Sequence, residues 1–103
     1  MIKLVALYAH PSDKEAFDRH YAEVHTPLVL QLPNLERFEV ARVTGSPRGE
    51  SPYYLIAEMY WENAEVMNAS LSSPQGRALS RDTRDFAGSL LTMHIAEVEI
   101  GTA

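Results

Sequence analysis

Residues Tyr53 to Trp61 read YYLIAEMYW, and among them only Glu58 carries a charge. A strand with one wet face alternates apolar and polar side chains, whereas this stretch is apolar in both phases, which predicts a central strand covered on both faces. Glu58 must then be paired, solvated or shifted in pKa, and an arginine such as Arg42 is the expected partner. Ile2 to Ala9 (IKLVALYA) repeats the pattern with only Lys3 interrupting it. Before Tyr53, the segment Gly45 to Pro52 holds two glycines and two prolines and reads as a hairpin loop. Ahead of the loop, Leu35 to Thr44 (LERFEVARVT) mixes β-branched and aromatic residues with charges. Its alternation stumbles between Val40 and Val43, which suits a bulged strand. Leu90 to Ile100 supplies a fourth apolar, β-branched block.

The intervals between these blocks carry helix signals. Ser12 with Glu15 three residues on has the form of a capping box, so a helix is expected to start there. Phe17, Tyr21, Val24 and Leu28 follow at spacings of four, three and four and fall within an arc of about 60° on a helix. Pro27 removes a backbone donor, which predicts a break near His25 and a further short turn after it. Asn63 and Ser73-Pro74 are expected to cap two short helices whose apolar contacts come from Val66, Met67, Leu71 and Leu79, with Gly88 at the end.

The order strand, helix, strand, strand, helices, strand is that of an α+β, ferredoxin-like split βαβ sandwich: a four-stranded antiparallel sheet with helices on one face. The other face would be left bare, with residues of LVALYA and YYLIAEMYW on it. Apolar patches beyond a few hundred Å2 usually mark interfaces. Burying ~600 Å2 at about 25 cal/mol per Å2 favours association by roughly 15 kcal/mol before ordering costs are subtracted. A homodimer, sheet face against sheet face, is therefore expected.

The 103 residues make one domain, 1–103, and carry a formal charge of −5. Such a balance offers no positive field for phosphate backbones or anionic lipid, so neither nucleic acid nor membrane is an expected partner. Without cysteine there is no disulfide framework, thiolate metal site or Cys nucleophile. The first apolar run, Leu4 to Ala9, is too short for a secretory or spanning segment, and a cytoplasmic location is expected.

The concentrated polar signal is the run from His20 to Leu28, HYAEVHTPL. On a regular helix His20 and His25 would lie about 140° apart, flanking the apolar stripe, so they would not share a metal ion, and no third ligand is evident. His25 beside an apolar stripe is a candidate general base or polarising residue, since imidazole changes protonation near neutrality; a backbone carbonyl freed by Pro27 is the plain alternative partner. His20 and Tyr21 are the other candidate site residues, with boundary solvation and core packing as their plain alternatives. No GxGxxG, P-loop, HExxH or nucleophile elbow is present, so no cofactor and no metal is expected.

The phrases MIKLVALY, FDRHYAEVHTPLVLQLPNLERFEV, PYYLIAEMYW and SPQGRALSRDTRDFAG together resemble the EthD family, small dimeric α/β-barrel proteins named from an ethyl tert-butyl ether degradation cluster. The resemblance covers almost the whole chain and implies two ferredoxin-like subunits joined by their sheets. It also implies that His25, His20 and Tyr21 border a cleft between helix and sheet. Similar barrels include cofactor-independent monooxygenases, polyketide cyclases and lactone isomerases acting on small aromatic or carbonyl compounds. The expectation is an accessory enzyme of small organic compound catabolism, of oxidoreductase, isomerase or cyclase type, that binds an apolar oxygen-bearing ligand. The alternatives are a non-catalytic binding protein or stabilising partner of an oxygenase system and, third, a haem-binding barrel.

Overall fold

In a computed structural model describing residues 1–102, four antiparallel strands form one sheet. They are β1 (Ile2–Ala9), β2 (Arg37–Arg42), β3 (Tyr53–Trp61) and β4 (Leu91–Glu97), in the order β2-β3-β1-β4. The two apolar segments are the two central strands, as their two-phase hydrophobicity requires. The helical elements are α1 (Lys14–His20), a π turn (Tyr21–His25), α2 (Thr26–Val29), α3 (Ala64–Ser72) and α4 (Pro74–Ala87). The α+β, ferredoxin-like arrangement expected from the sequence is the one observed.

Register sorts the side chains into two faces. Leu4, Ala6 and Tyr8 of β1 stand opposite Met59, Ala57 and Leu55 of β3, and all six are buried under the helices. Phe17, Tyr21 and Ala87 close one half of this core, while Val29, Met67 and Leu79 close the other around Trp61. Lys3, Val5 and Leu7 alternate with them and point to the opposite, helix-free face beside Tyr60, Glu58 and Ile56.

This phase separation corrects the expected partner of Glu58. Lys3 Nζ lies 2.8 Å from Glu58 Oε1 on the open face. Arg42, paired in register with Leu55, is in the helix-side phase, where its Nη1 reaches Asp18 at 3.3 Å. The Tyr54 hydroxyl also donates to Asp18, tying α1 to β3.

The expected bulge in β2 is absent: Arg37–Arg42 pairs with Tyr60–Leu55 residue for residue. Its charges are those of an edge strand. The irregularity falls between Tyr8 and Ala9, where the register steps from Leu55 to Tyr53 and both Tyr54 and Leu55 are buried. The first helix also starts one residue late. Asp13, rather than Ser12, caps it, its carboxylate accepting the Ala16 N–H at 3.0 Å. Asn63 and Ser73 cap α3 and α4 as expected, through the N–H groups of Val66 and Gly76. At Gly76 a β-carbon would come within 2.2 Å of the Leu71 carbonyl, so the α3–α4 junction needs glycine there.

Candidate functional site

Pro27 lacks an N–H, and in an α-helix its ring would press on the carbonyl four residues back, that of Glu23. The chain accommodates it without the expected break. Backbone angles stay helical from His20 to Leu30, but the Thr26 N–H reaches the Tyr21 carbonyl five residues back, a π turn. One extra residue in the turn changes which side chains face inward. The buried series is Phe17, Tyr21, His25 and Val29, while Val24 is 42% exposed. The expected stripe through Val24 and Leu28 is therefore displaced by one position, and His25 takes the inward place.

The same turn brings His20 and His25 to one side, overturning their expected divergence. Both meet Asp82 of α4: His20 Nε2 lies 2.7 Å from Oδ1 and His25 Nδ1 3.1 Å from Oδ2. A carboxylate accepts only, so each ring nitrogen facing it carries a proton. In neutral His25 that leaves Nε2 unprotonated and able to accept. The ring is 3% exposed, and its burial lowers the pKa below the usual imidazole value, with Asp82 opposing the shift. His25 is thus held neutral and in one tautomer.

Aromatic rings enclose this arrangement. Phe86 stacks on His20 at 4.4 Å between centroids and lies 5.1 Å from His25, and Tyr21 lies 4.7 Å from His25. The Tyr21 hydroxyl is buried and has no hydrogen-bond partner among the described residues. Burial raises its pKa, with the Tyr8 phenol adding to the effect; Tyr8, also buried, is pushed up to about 12. Both phenols stay protonated at neutral pH.

A cleft of about 390 Å3 opens between α4 and the β1–β4 side of the sheet. Leu4, Ala6, Met59, Leu79 and Leu91 give it an apolar lining, Tyr8 and His25 form its inner wall, and Ser80, Thr83 and Arg84 stand along α4. Of the three site residues expected from the sequence, His25 reaches this cleft. Tyr21 packs behind it, and His20 opens to a separate shallow groove beside Phe17 and Phe86. Among the described residues no group of three or more histidine or carboxylate side chains is disposed to hold a metal ion.

The residue that sequence reading missed is Asp82, because the run SRDTRD reads as a solvated helix face. A signal was present. Leu79, Asp82 and Phe86 are spaced by three and four, which puts the aspartate on the same stripe as two apolar neighbours.

The EthD domain model matches residues 9–89, a span that includes both histidines, Asp82 and most of the cleft lining. The chain belongs to the EthD family. An EthD family protein from Bacillus halodurans, known by crystal structure, is 45% identical with a TM-score of 0.92, covering 95% of this chain and 98% of that one. An uncharacterized 11.0 kDa protein in the thcB–thcC intergenic region of Rhodococcus erythropolis is 31% identical over 99 residues, covering 96% of each chain. The fold extends further: a dimeric ferredoxin-like protein of unknown function from Thermobifida fusca has a TM-score of 0.71 at 13% identity, over 94% of this chain and 90% of that one. Asp82, His25 and the π turn thus lie within the EthD match, and none depends on the unmatched ends.

Proposed function

We propose that this EthD protein binds a small apolar, oxygen-bearing organic molecule in the cleft between α4 and the sheet, and that His25 is its catalytic base. The observation that carries the reading is the buried His25 ring on the cleft wall, with Nδ1 anchored to Asp82 and Nε2 unprotonated. In the proposed step a C–H or O–H bond beside the ligand's oxygen breaks, the proton passes to Nε2, and the electron pair stays on the ligand as an enolate or phenolate. Asp82 stabilises the imidazolium that results. A neutral base beside apolar walls suits isomerisation, cyclisation or cofactor-independent oxidation, all of which begin with such an anion. Tyr21 supports the His25 ring by packing. The dimer of the reading is a pair of chains joined through their open sheet faces, opposite the clefts.

Native mass spectrometry of the purified protein, followed by extraction, identifies a retained compound. That compound, incubated in D2O with the protein, is expected to exchange the carbon-bound proton beside its oxygen for deuterium, and an O–H substrate is followed by turnover instead. His25→Gln should slow the exchange by about 10² to 10⁴-fold, the usual share of general base catalysis. Full turnover by the His25 variant would remove the mechanism.

A further inference from the structure

Gly76, Ser80, Arg84 and the C-cap residue Gly88 are spaced by four and run along the α4 side of the cleft, which Leu91 and Met93 of β4 also line. Three members of the row are small: Gly76 and Gly88 lie against the backbone of Leu71 and Arg84, and Ser80 is exposed. The fourth is a guanidinium. No aspartate or glutamate lines this cleft, and His25, its other basic group, is held neutral by burial. Arg84 makes no ion pair among the described residues, and it is the arginine that lines the cleft. Asp82, two residues before Arg84 and so about 160° round the helix from it, is held by His20 and His25. Among the described residues, the only full charge lining this cleft is therefore positive and unmatched, in a chain whose net charge is −5.

We propose that the cleft selects ligands with an apolar body and one anionic oxygen group, and that Arg84 is the specificity-determining residue that binds the anion. A guanidinium donates two parallel N–H groups to a carboxylate, an arrangement that a neutral amide of the same shape cannot match. The walls accept the apolar body of either, so the discrimination rests on Arg84 alone. Because Arg84 is exposed, its attraction is screened by salt. This inference rests on the cleft being the ligand site.

The test uses a matched pair of probes, 2-naphthoate and 2-naphthamide, titrated into the full-length protein while the NMR signals of Leu79 and Leu91 are followed. The acid is expected to bind about tenfold more tightly than the amide, a difference of about 1.4 kcal/mol. Arg84→Gln should bring the two affinities together without weakening the amide, and Arg84→Lys should restore part of the preference. The preference should also shrink between about 20 mM and about 500 mM salt. Equal binding of both probes, with the Leu79 and Leu91 signals shifting, overturns the charge selection and leaves the cleft standing. If neither probe moves those signals, the cleft and the selection fall together. An acid preference that survives Arg84→Gln overturns the role of Arg84.

Discussion

His25 is the residue on which burial and charge act in opposite directions. Burial disfavours the imidazolium and Asp82 favours it, and burial is the larger influence, so the folded-state pKa lies below the unfolded value. Between those two values the unfolded chain binds the extra proton, so stability is complete above about pH 6.5, the unfolded histidine value, and falls as pH drops through it. Urea midpoints of the native protein should therefore decline from pH 7.5 towards pH 5.5, and His25→Gln should flatten that decline; a parallel slope in the variant would contradict the assignment. Asp82→Asn tests the tautomer. The asparagine side chain can present an N–H to Nδ1, which moves the ring proton to Nε2 and leaves no base in the cleft, and proton exchange should fall by about 10²-fold. Tyr21 carries the opposite kind of prediction. Its buried hydroxyl has the Tyr8 phenol as its neighbour but no partner in good hydrogen-bond geometry, so Tyr21→Phe removes a poorly compensated group and should leave stability in urea unfolding unchanged or raised by up to about 1 kcal/mol. A loss of that size would reveal a partner for the hydroxyl.

At the level of the element, the π turn is an extra residue within an otherwise helical rod. In a Pro27→Ala background, which removes the clash that the turn relieves, deleting the exposed Val24 turns the five-residue bond from Thr26 to Tyr21 into an ordinary four-residue one and leaves α1 and α2 facing as before. The deletion is expected to alter stability by less than about 1 kcal/mol relative to the same operation elsewhere. Deleting Arg81 provides the contrast. It turns Asp82 by about 100° relative to the first half of α4, strips both imidazoles of their acceptor, and should cost about 3 kcal/mol or more. Equal costs for the two deletions would argue against the turn as a removable insertion. The same element marks where sequence reading stopped. Strand order was legible because β1 and β3 are apolar in both phases and the loop from Gly45 to Pro52 admits only a turn. The caps at Asn63 and Ser73 were legible because capping is local. Helix phase beyond Tyr21 was not, since periodicity assumes a constant turn and Pro27 changes it. Asp82 was hidden for a related reason: its partners lie 62 and 57 residues away in the chain, and no local rule connects them. The pairing of Glu58 with Lys3 likewise depended on strand register.

For the whole molecule, the sheet separates two activities that the reading requires. The cleft and the Asp82 pair lie on the helix side, while Val5, Leu7, Ile56 and Tyr60 stand half-buried on the open side, crossed by the Lys3–Glu58 ion pair. A face of this kind gains from contact with its own copy, and the ion pair fixes orientation more than it adds affinity, because desolvation offsets much of its attraction. Leu7 sits near the middle of the face, opposite Ile56 on one side and Thr92 on the other. Leu7→Asp would place a carboxylate on each subunit in the apolar centre of the proposed dimer, a cost of several kcal/mol per charge without any change to the cleft. Sedimentation velocity at micromolar concentration should therefore give the native protein twice the 11.5 kDa chain mass and the variant the single mass. Naphthoate binding and the shifts of Leu79 and Leu91 should persist in the monomeric variant, because Leu7 does not line the cleft. A native protein that sediments as single chains at that concentration would leave the open face without its proposed partner. A monomeric variant that loses naphthoate binding would mean that the second subunit shapes the cleft through the sheet.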